Sequence, residues 1–307
     1  MPEPRMVYIV CVVQRRRICR TARIARANGG RRAAFMSDMK LSLACSPCPN
    51  DTFMFHGLAS GKMPVEGCEL EVHLHDIETL NRLALRGTYA VTKLSFGAWM
   101  LARRHYRLLN AGAAMGFGCG PLIVSGGGRE LSRDDLRNCR IAVPGELTTA
   151  HLLLRLWAPH AGNKVFLRYD KIIPAVLAGE ADCGVIIHES RFTYERDGLR
   201  KIVDLGEWWE QTTQLPVPLA AIGVRQDVPA PVASSLEDAL RRSIADARAN
   251  PAAAMEFARR HAREMDDDVL REHIRTFVND YSLAPGPDAR AATETLIRMA
   301  LETATDQ

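Results

Sequence analysis

The chain has 307 residues, 47% hydrophobic, 25% charged and 6% aromatic, which is the composition of a folded globular protein rather than a disordered or collagenous one. Its formal charge of +4 is unevenly spread: residues 1–35 hold nine arginines and one acid, so residues 36–307 carry −4 and offer no basic body for nucleic acid. No apolar run approaches the length of a bilayer span. The eight cysteines are too scattered for a disulfide framework, which fits reduced thiols in a cytosol.

Residues 1–37 are Arg-rich and acid-poor, but their apolar run at 6–13 is short and most of the arginines follow it. A secretory signal has the reverse order. The segment is expected to be a disordered extension or an upstream start, with Met36 or Met39 as the alternative first residue. From Lys40 onward the pattern alternates between strand and helix, as in α/β architecture. "KLSLAC" (40–45) reads as a strand, and "DTFMFHGLASG" (51–61) as a helix after a loop holding Pro47 and Pro49. "CELEVHLHD" (68–76) alternates like a strand, "IETLNRLALRG" (77–87) is an amphipathic helix closed by glycine, and "YAVTKLS" (89–95) leads into a further helix.

The same order recurs in "CRIAVPG" (139–145), "LTTAHLLLRLWA" (147–158), "KVFLRYD" (164–170), "KIIPAVLAG" (171–179) and "DCGVIIHES" (182–190). Between the halves lies "GCGPLIVSGGG" (118–128), whose glycine run 126–128 reads as a hinge. "PVPLAAIGVR" (216–225) reads as the returning strand. The chain is thus expected to leave one lobe, build a second and come back. The expected bounds are 38–126 with 218–307 for lobe one and 127–217 for lobe two, the C-terminal helices packing around lobe one.

Ligands of open α/β sheets lie beyond the carboxyl ends of the strands, often at helix N-termini. That rule selects the loop 46–52, "TKLS" (92–95), "GELTTA" (145–150) and "HES" (188–190). Helix starts near Asp51 and Thr148 favour an anionic ligand such as a carboxylate, and Lys93 would add a positive charge. His188 ends an apolar strand and suits a general base, though a lone histidine also fits a simple hydrogen-bonding role. His73 and His75 share a strand face, without an evident third metal ligand. Trp208 and Trp209 read as packing or a cleft wall. No phosphate-binding glycine loop and no G-x-S-x-G elbow is present. Cys45 and Cys48 form a C-x-x-C, but Cys45 ends a strand. Pro47 and Pro49 make a rigid turn into an anion-facing loop, in which Asn50, Asp51 and Thr52 start the helix, Asn50 and Asp51 are expected substrate contacts, and Cys48 fills a small gap at the cleft edge.

In order, "SPCPNDTF" (46–53), "ETLNRLAL" (78–85), "TKLS", "GPLIV" (120–124), "VPGELTTA" (143–150), "RYDKIIPAV" (168–176), "IIHESRFTY" (186–194) and "VDLGEWWE" (203–210) make the chain resemble the 1,4-dihydroxy-6-naphthoate synthases. These enzymes act on cyclic dehypoxanthinyl futalosine in the futalosine route to menaquinone. The resemblance covers roughly 40–300. It implies a two-lobed type II periplasmic-binding-protein-like fold used as a cytoplasmic carbon–carbon lyase, with no metal or organic cofactor and a small carboxylate as substrate. It also implies His188 as base and Lys93, Leu94, Ser95, Thr148 and Thr149 as substrate contacts. Two rivals share the fold: chorismate dehydratase of the same pathway, against which the first and seventh blocks argue, and a non-catalytic binding protein for a small acid.

Overall fold

The computed structural model describes residues 8–9, 39–128, 130–262 and 266–305. The expectations for 1–37 lie outside these residues, apart from Tyr8 and Ile9. The strands are β1 (Tyr8–Ile9), β2 (Met39–Cys45), β3 (Cys68–Leu74), β4 (Val91–Ser95), β5 (Tyr106–Leu108), β6 (Ala114–Gly116), β7 (Leu122–Ser125), β8 (Ile141–Val143), β9 (Lys164–Phe166), β10 (Cys183–Ile186), β11 (Arg200–Asp204) and β12 (Val217–Arg225). The helices are α1 (Pro49–Ala59), α2 (Ile77–Ala84), α3 (Phe96–Ala102), α4 (Thr149–Trp157), α5 (Ile172–Leu177), α6 (Ser190–Thr193), α7 (Leu205–Thr213), α8 (Ala230–Ala249), α9 (Pro251–His261), α10 (Asp267–Phe277), α11 (Asp280–Leu283) and α12 (Pro287–Thr305). Among the described residues no helix is long and apolar enough to cross a membrane.

The strands form two sheets. The first runs β1-β3-β2-β4-β12-β5, with β6 also paired to β12, and the second runs β11-β7-β10-β8-β9. In the first, β2 is parallel to β3 and β4. In the second, β8 is parallel to β9 and β10. These parallel pairs need crossover helices, which is why helix starts gather beyond the strands' carboxyl ends. The starts are specified locally. Asp76 accepts from the Thr79 amide at α2, Thr148 from the His151 amide at α4, and Asp204 from the Gly206 and Glu207 amides at α7.

The crossings between the sheets differ from the expected hinge. The glycines at 126–128 do not join the lobes: β7 already belongs to the second sheet, pairing with both β10 and β11. Gly127 and Gly128, both at positive φ, turn the chain after β7. The outward crossing is 117–121, between β6 and β7, and the return runs from Asp204 through α7 to β12. The two crossings meet backbone to backbone: a Cβ on Gly120 would lie 2.2 Å from the Gly206 Cα.

One core lies between the first sheet and α1, α8, α9 and α10, built on Leu43, Met54, Phe55, Leu236, Leu240 and Ile244. A second joins residues of both sheets, including Phe96, Met115, Ile141, Leu153, Val185, Trp209 and Val217. The last helix was expected to pack around lobe one. It reaches both sides, touching β12 and α4, because Ala289, Leu296 and Ala300 enter this second core. Trp209 is packing, with its ring N–H donating to the Pro216 carbonyl. Cys45 is buried at the end of β2, as expected.

Candidate active site

The carboxyl ends of β2, β4, β8 and β10 all open on one cleft between the sheets, of about 660 Å³ including some open solvent. Each of the four selected stretches reaches its wall. From the β2 side come Ser46, Asn50 and Asp51, from β4 Lys93 and Ser95, from α4 Thr148 and Thr149, and beyond β10 His188. The lobes already touch across it. Arg82 of α2 pairs with Glu146 at 3.3 Å, Glu78 accepts from the Leu147 amide, and the Gly97 amide donates to the Thr149 hydroxyl.

Leu94 is the exception. Side chains along a strand alternate between faces, so with Lys93 and Ser95 turned to the cleft, Leu94 points the other way. It is fully buried beside Ala84, Ala102 and Tyr106. Any substrate contact at this position is through the backbone.

The expected free charge of Lys93 is also absent. Its ammonium donates to Asp51 Oδ1 at 2.7 Å, with both side chains almost fully buried. Asp51 Oδ1 accepts further from the Asn50 side-chain Nδ2 at 3.1 Å, and Oδ2 from the backbone N–H and hydroxyl of Ser46 at 3.1 and 2.7 Å. The anion at the start of α1 is therefore part of the protein. Because the Asn50 amide nitrogen faces Asp51, its oxygen faces His273, whose Nε2 is 3.0 Å away and must be the donor. His273 is fully buried, and burial together with the nearby His188 and Lys93 holds it well below the usual histidine range, so it is neutral.

The threonine hydroxyls are engaged too. Thr148 Oγ1 donates to the Gly145 carbonyl and accepts from the His151 amide. Thr149 Oγ1 donates to the Leu219 carbonyl and accepts from Gly97. What α4 offers the cleft is its first-turn amides at Thr149 and Ala150, which have no partner within the helix. The Ser95 hydroxyl accepts from Asn81 and keeps its own hydrogen to donate.

His188 follows β10 in a left-handed conformation, φ +60°, which a residue with a Cβ adopts only when its surroundings hold it there. Its ring lies edge-on to Tyr169, with centroids 5.0 Å apart, and over His273 at 6.3 Å. Nε2 is 3.8 Å from Cys48 Sγ. Burial pushes its pKa below the usual histidine value, against the opposing pull of Glu189 and Asp51, so the ring is neutral near pH 7.

A sequence model of the menaquinone biosynthesis family matches residues 41–302. The 1,4-dihydroxy-6-naphthoate synthase of Thermus thermophilus is 46% identical over 258 residues, which cover 83% of this chain and 92% of the relative. That of Streptomyces coelicolor is 42% identical over 270 residues, covering 86% and 94%. The chain belongs to the menaquinone biosynthesis family. Protein AF1704 from Archaeoglobus fulgidus, a crystal structure, superposes with a TM-score of 0.82 at 38% identity, over 87% of this chain and 98% of that one. The alkanesulfonate-binding protein SsuA from Xanthomonas axonopodis pv. citri superposes at 0.63 with 13% identity, over 87% and 94%. At that identity the likeness shows the fold alone, which is periplasmic-binding-protein-like.

Within this family member, several cleft residues escaped the reading by sequence. Arg191 lines the cleft, donating to the Gly120 carbonyl at 2.7 Å and to Asp204 Oδ2 at 2.6 Å. It lies three residues after His188, a spacing that returns to the same side of a helical turn. Phe277 lines the cleft from α10, and His273, four residues before it in "HIRTF", is fully buried against its ring. Ile77 follows the α2 cap, and Cys119 to Pro121 enter from the crossing. His73 and His75 hold no cleft position. Both rings pack against Tyr89, and no group of three metal-binding side chains occurs among the described residues.

Proposed function

We propose that this chain is a 1,4-dihydroxy-6-naphthoate synthase, a carbon–carbon lyase that acts on cyclic dehypoxanthinyl futalosine with His188 as its general base. The observation that carries the reading is a neutral histidine held at φ +60° on the cleft wall of a chain whose relatives bear that name. A base must be unprotonated at working pH and fixed within reach of its proton, and burial and the turn provide both conditions.

The charged groups of the cleft support a polar but compensated pocket. Lys93 is balanced by Asp51 and Arg191 by Asp204. A substrate carboxylate is therefore met by oriented donors rather than by a bare cation. The first-turn amides of α4 are the donors placed for it, with the helix dipole favouring the anion. Ile77, Pro121, Ile187, Leu219 and Phe277 line the apolar part, which suits an aromatic ring. His188 removes the acidic proton, the carbon–carbon bond to the sugar-derived part breaks, its electrons fall into the forming naphthalene ring, and the sugar-derived remainder is released. Aromatisation drives the step, while the Ser95 hydroxyl is available to an oxygen on which charge develops. Contact between the lobes keeps water from the reacting centre. The same reading places the protein in the cytoplasm and gives it a small carboxylate as its ligand.

The test is turnover. Purified protein incubated with cyclic dehypoxanthinyl futalosine is expected to form 1,4-dihydroxy-6-naphthoate, and to leave chorismate unchanged. Folded protein that yields no naphthoate overturns the assignment.

A further inference from the structure

We propose that Cys48 is a positioning residue for His188: its sulfur accepts the ring's Nε2–H, which fixes the tautomer and leaves Nδ1 as the atom that takes the substrate's proton. The inference rests on the reading of His188 as the base.

The geometry separates the two ring nitrogens. Nε2 lies 3.8 Å from Cys48 Sγ, within hydrogen-bonding reach of the large sulfur atom. Cys48 is 5% exposed and stands outside the cleft lining, so Nε2 is turned toward the start of α1. Nδ1 has no hydrogen bond to any described residue. His188 lines the cleft and is half-buried, which leaves Nδ1 as the ring nitrogen open to a ligand. The rings of Tyr169, at 71° to the imidazole, and of His273, at 22°, pack against it.

The sulfur is held in place. Cys48 sits between two prolines as the N-cap of α1. Its amide donates to Ser46 Oγ, and its carbonyl accepts from both the amide and the hydroxyl of Thr52. Ser46 is in turn fastened to Asp51. Burial, with Glu189 close by, pushes the thiol well above its usual pKa, so it stays neutral and the pair is not a thiolate–imidazolium nucleophile.

A neutral imidazole has one N–H and one lone pair. Were the thiol to donate to Nε2, the hydrogen would sit on Nδ1 and the cleft-facing atom could accept nothing. The base role therefore requires Nε2–H on sulfur and the lone pair on Nδ1. In the reaction the substrate's proton moves to Nδ1, giving an imidazolium whose Nε2–H stays on Cys48, and the same proton leaves from Nδ1 afterward. The thiol is neither consumed nor oxidised. Because Cys48 belongs to the first lobe and His188 to the second, the tautomer is set when the lobes are together.

The test combines a resting-state and a kinetic measurement. In ¹⁵N-histidine NMR of the full chain, with the His188 signals assigned by their loss in His188→Asn, the wild type is expected to show the Nε2–H tautomer. Cys48→Ala is expected to lose that preference and to lower kcat roughly tenfold to a hundredfold with little change in KM. Cys48→Ser, which keeps an acceptor, is expected to recover most of kcat. A wild-type ring protonated on Nδ1 overturns the inference and needs no variant to be seen. So does wild-type kcat in Cys48→Ala. Either result together with an inactive His188→Asn defeats the tautomer argument alone, whereas an active His188→Asn removes the base reading and this inference with it.

Discussion

The most consequential single contact in the cleft is the one between Lys93 and Asp51, because both charges are out of water. Removing one partner of such a pair leaves the other buried and uncompensated, which costs about 3–5 kcal/mol. Lys93→Met is therefore expected to lower the urea midpoint sharply, and Asp51→Asn combined with Lys93→Met to recover a good part of it. An unchanged midpoint in the single variant contradicts the pairing. This contact also marks what the sequence concealed. It announced a lysine, two threonines and an acid near helix starts, but not which donors were already taken. The Thr148 and Thr149 hydroxyls go to backbone carbonyls 3 and 70 residues away, and only the first of these is a local matter. Leu94 was different, since strand alternation alone places it opposite Lys93 and Ser95. The family block carried it into the site, and the period-two rule takes its side chain out.

At the level of elements, the carboxyl-end rule performed well because it depends on local features: a strand, a turn and a helix start. The loops after β2, β4, β8 and β10 all reach the cleft. The hinge was misplaced because it depends on pairing between distant strands. Three glycines in a row signal a backbone free to turn, and Gly127 and Gly128 do turn. Only the pairing of β7 with β10 and β11 shows that the chain has by then crossed over. The outward crossing has its own glycines, Gly118 and Gly120, but their role follows from a neighbour far along the chain. The last helix follows the same logic, since its alanines signal close packing without naming the partner.

For the whole molecule, the two crossings are bound into one unit where Gly120 meets Gly206, and Arg191 adds hydrogen bonds to the Gly120 carbonyl and Asp204. The obstacle at Gly120 is backbone, which cannot yield as the end of a side chain can. Gly120→Ala is expected to push the crossings apart, to cost about 1–3 kcal/mol of stability and to raise KM as the cleft loses its closed geometry. Thermal unfolding with steady-state kinetics checks this, and a variant matching wild type in both would show that the crossings move freely.

The account as a whole turns on the histidine at the end of β10. The direct measurement is kcat for cyclic dehypoxanthinyl futalosine with purified, folded His188→Asn and His188→Ala, alongside substrate affinity by calorimetry. The account predicts a loss of roughly a hundredfold or more in kcat, in the range of general-base removal, with affinity little changed. Near wild-type turnover by either variant would contradict it.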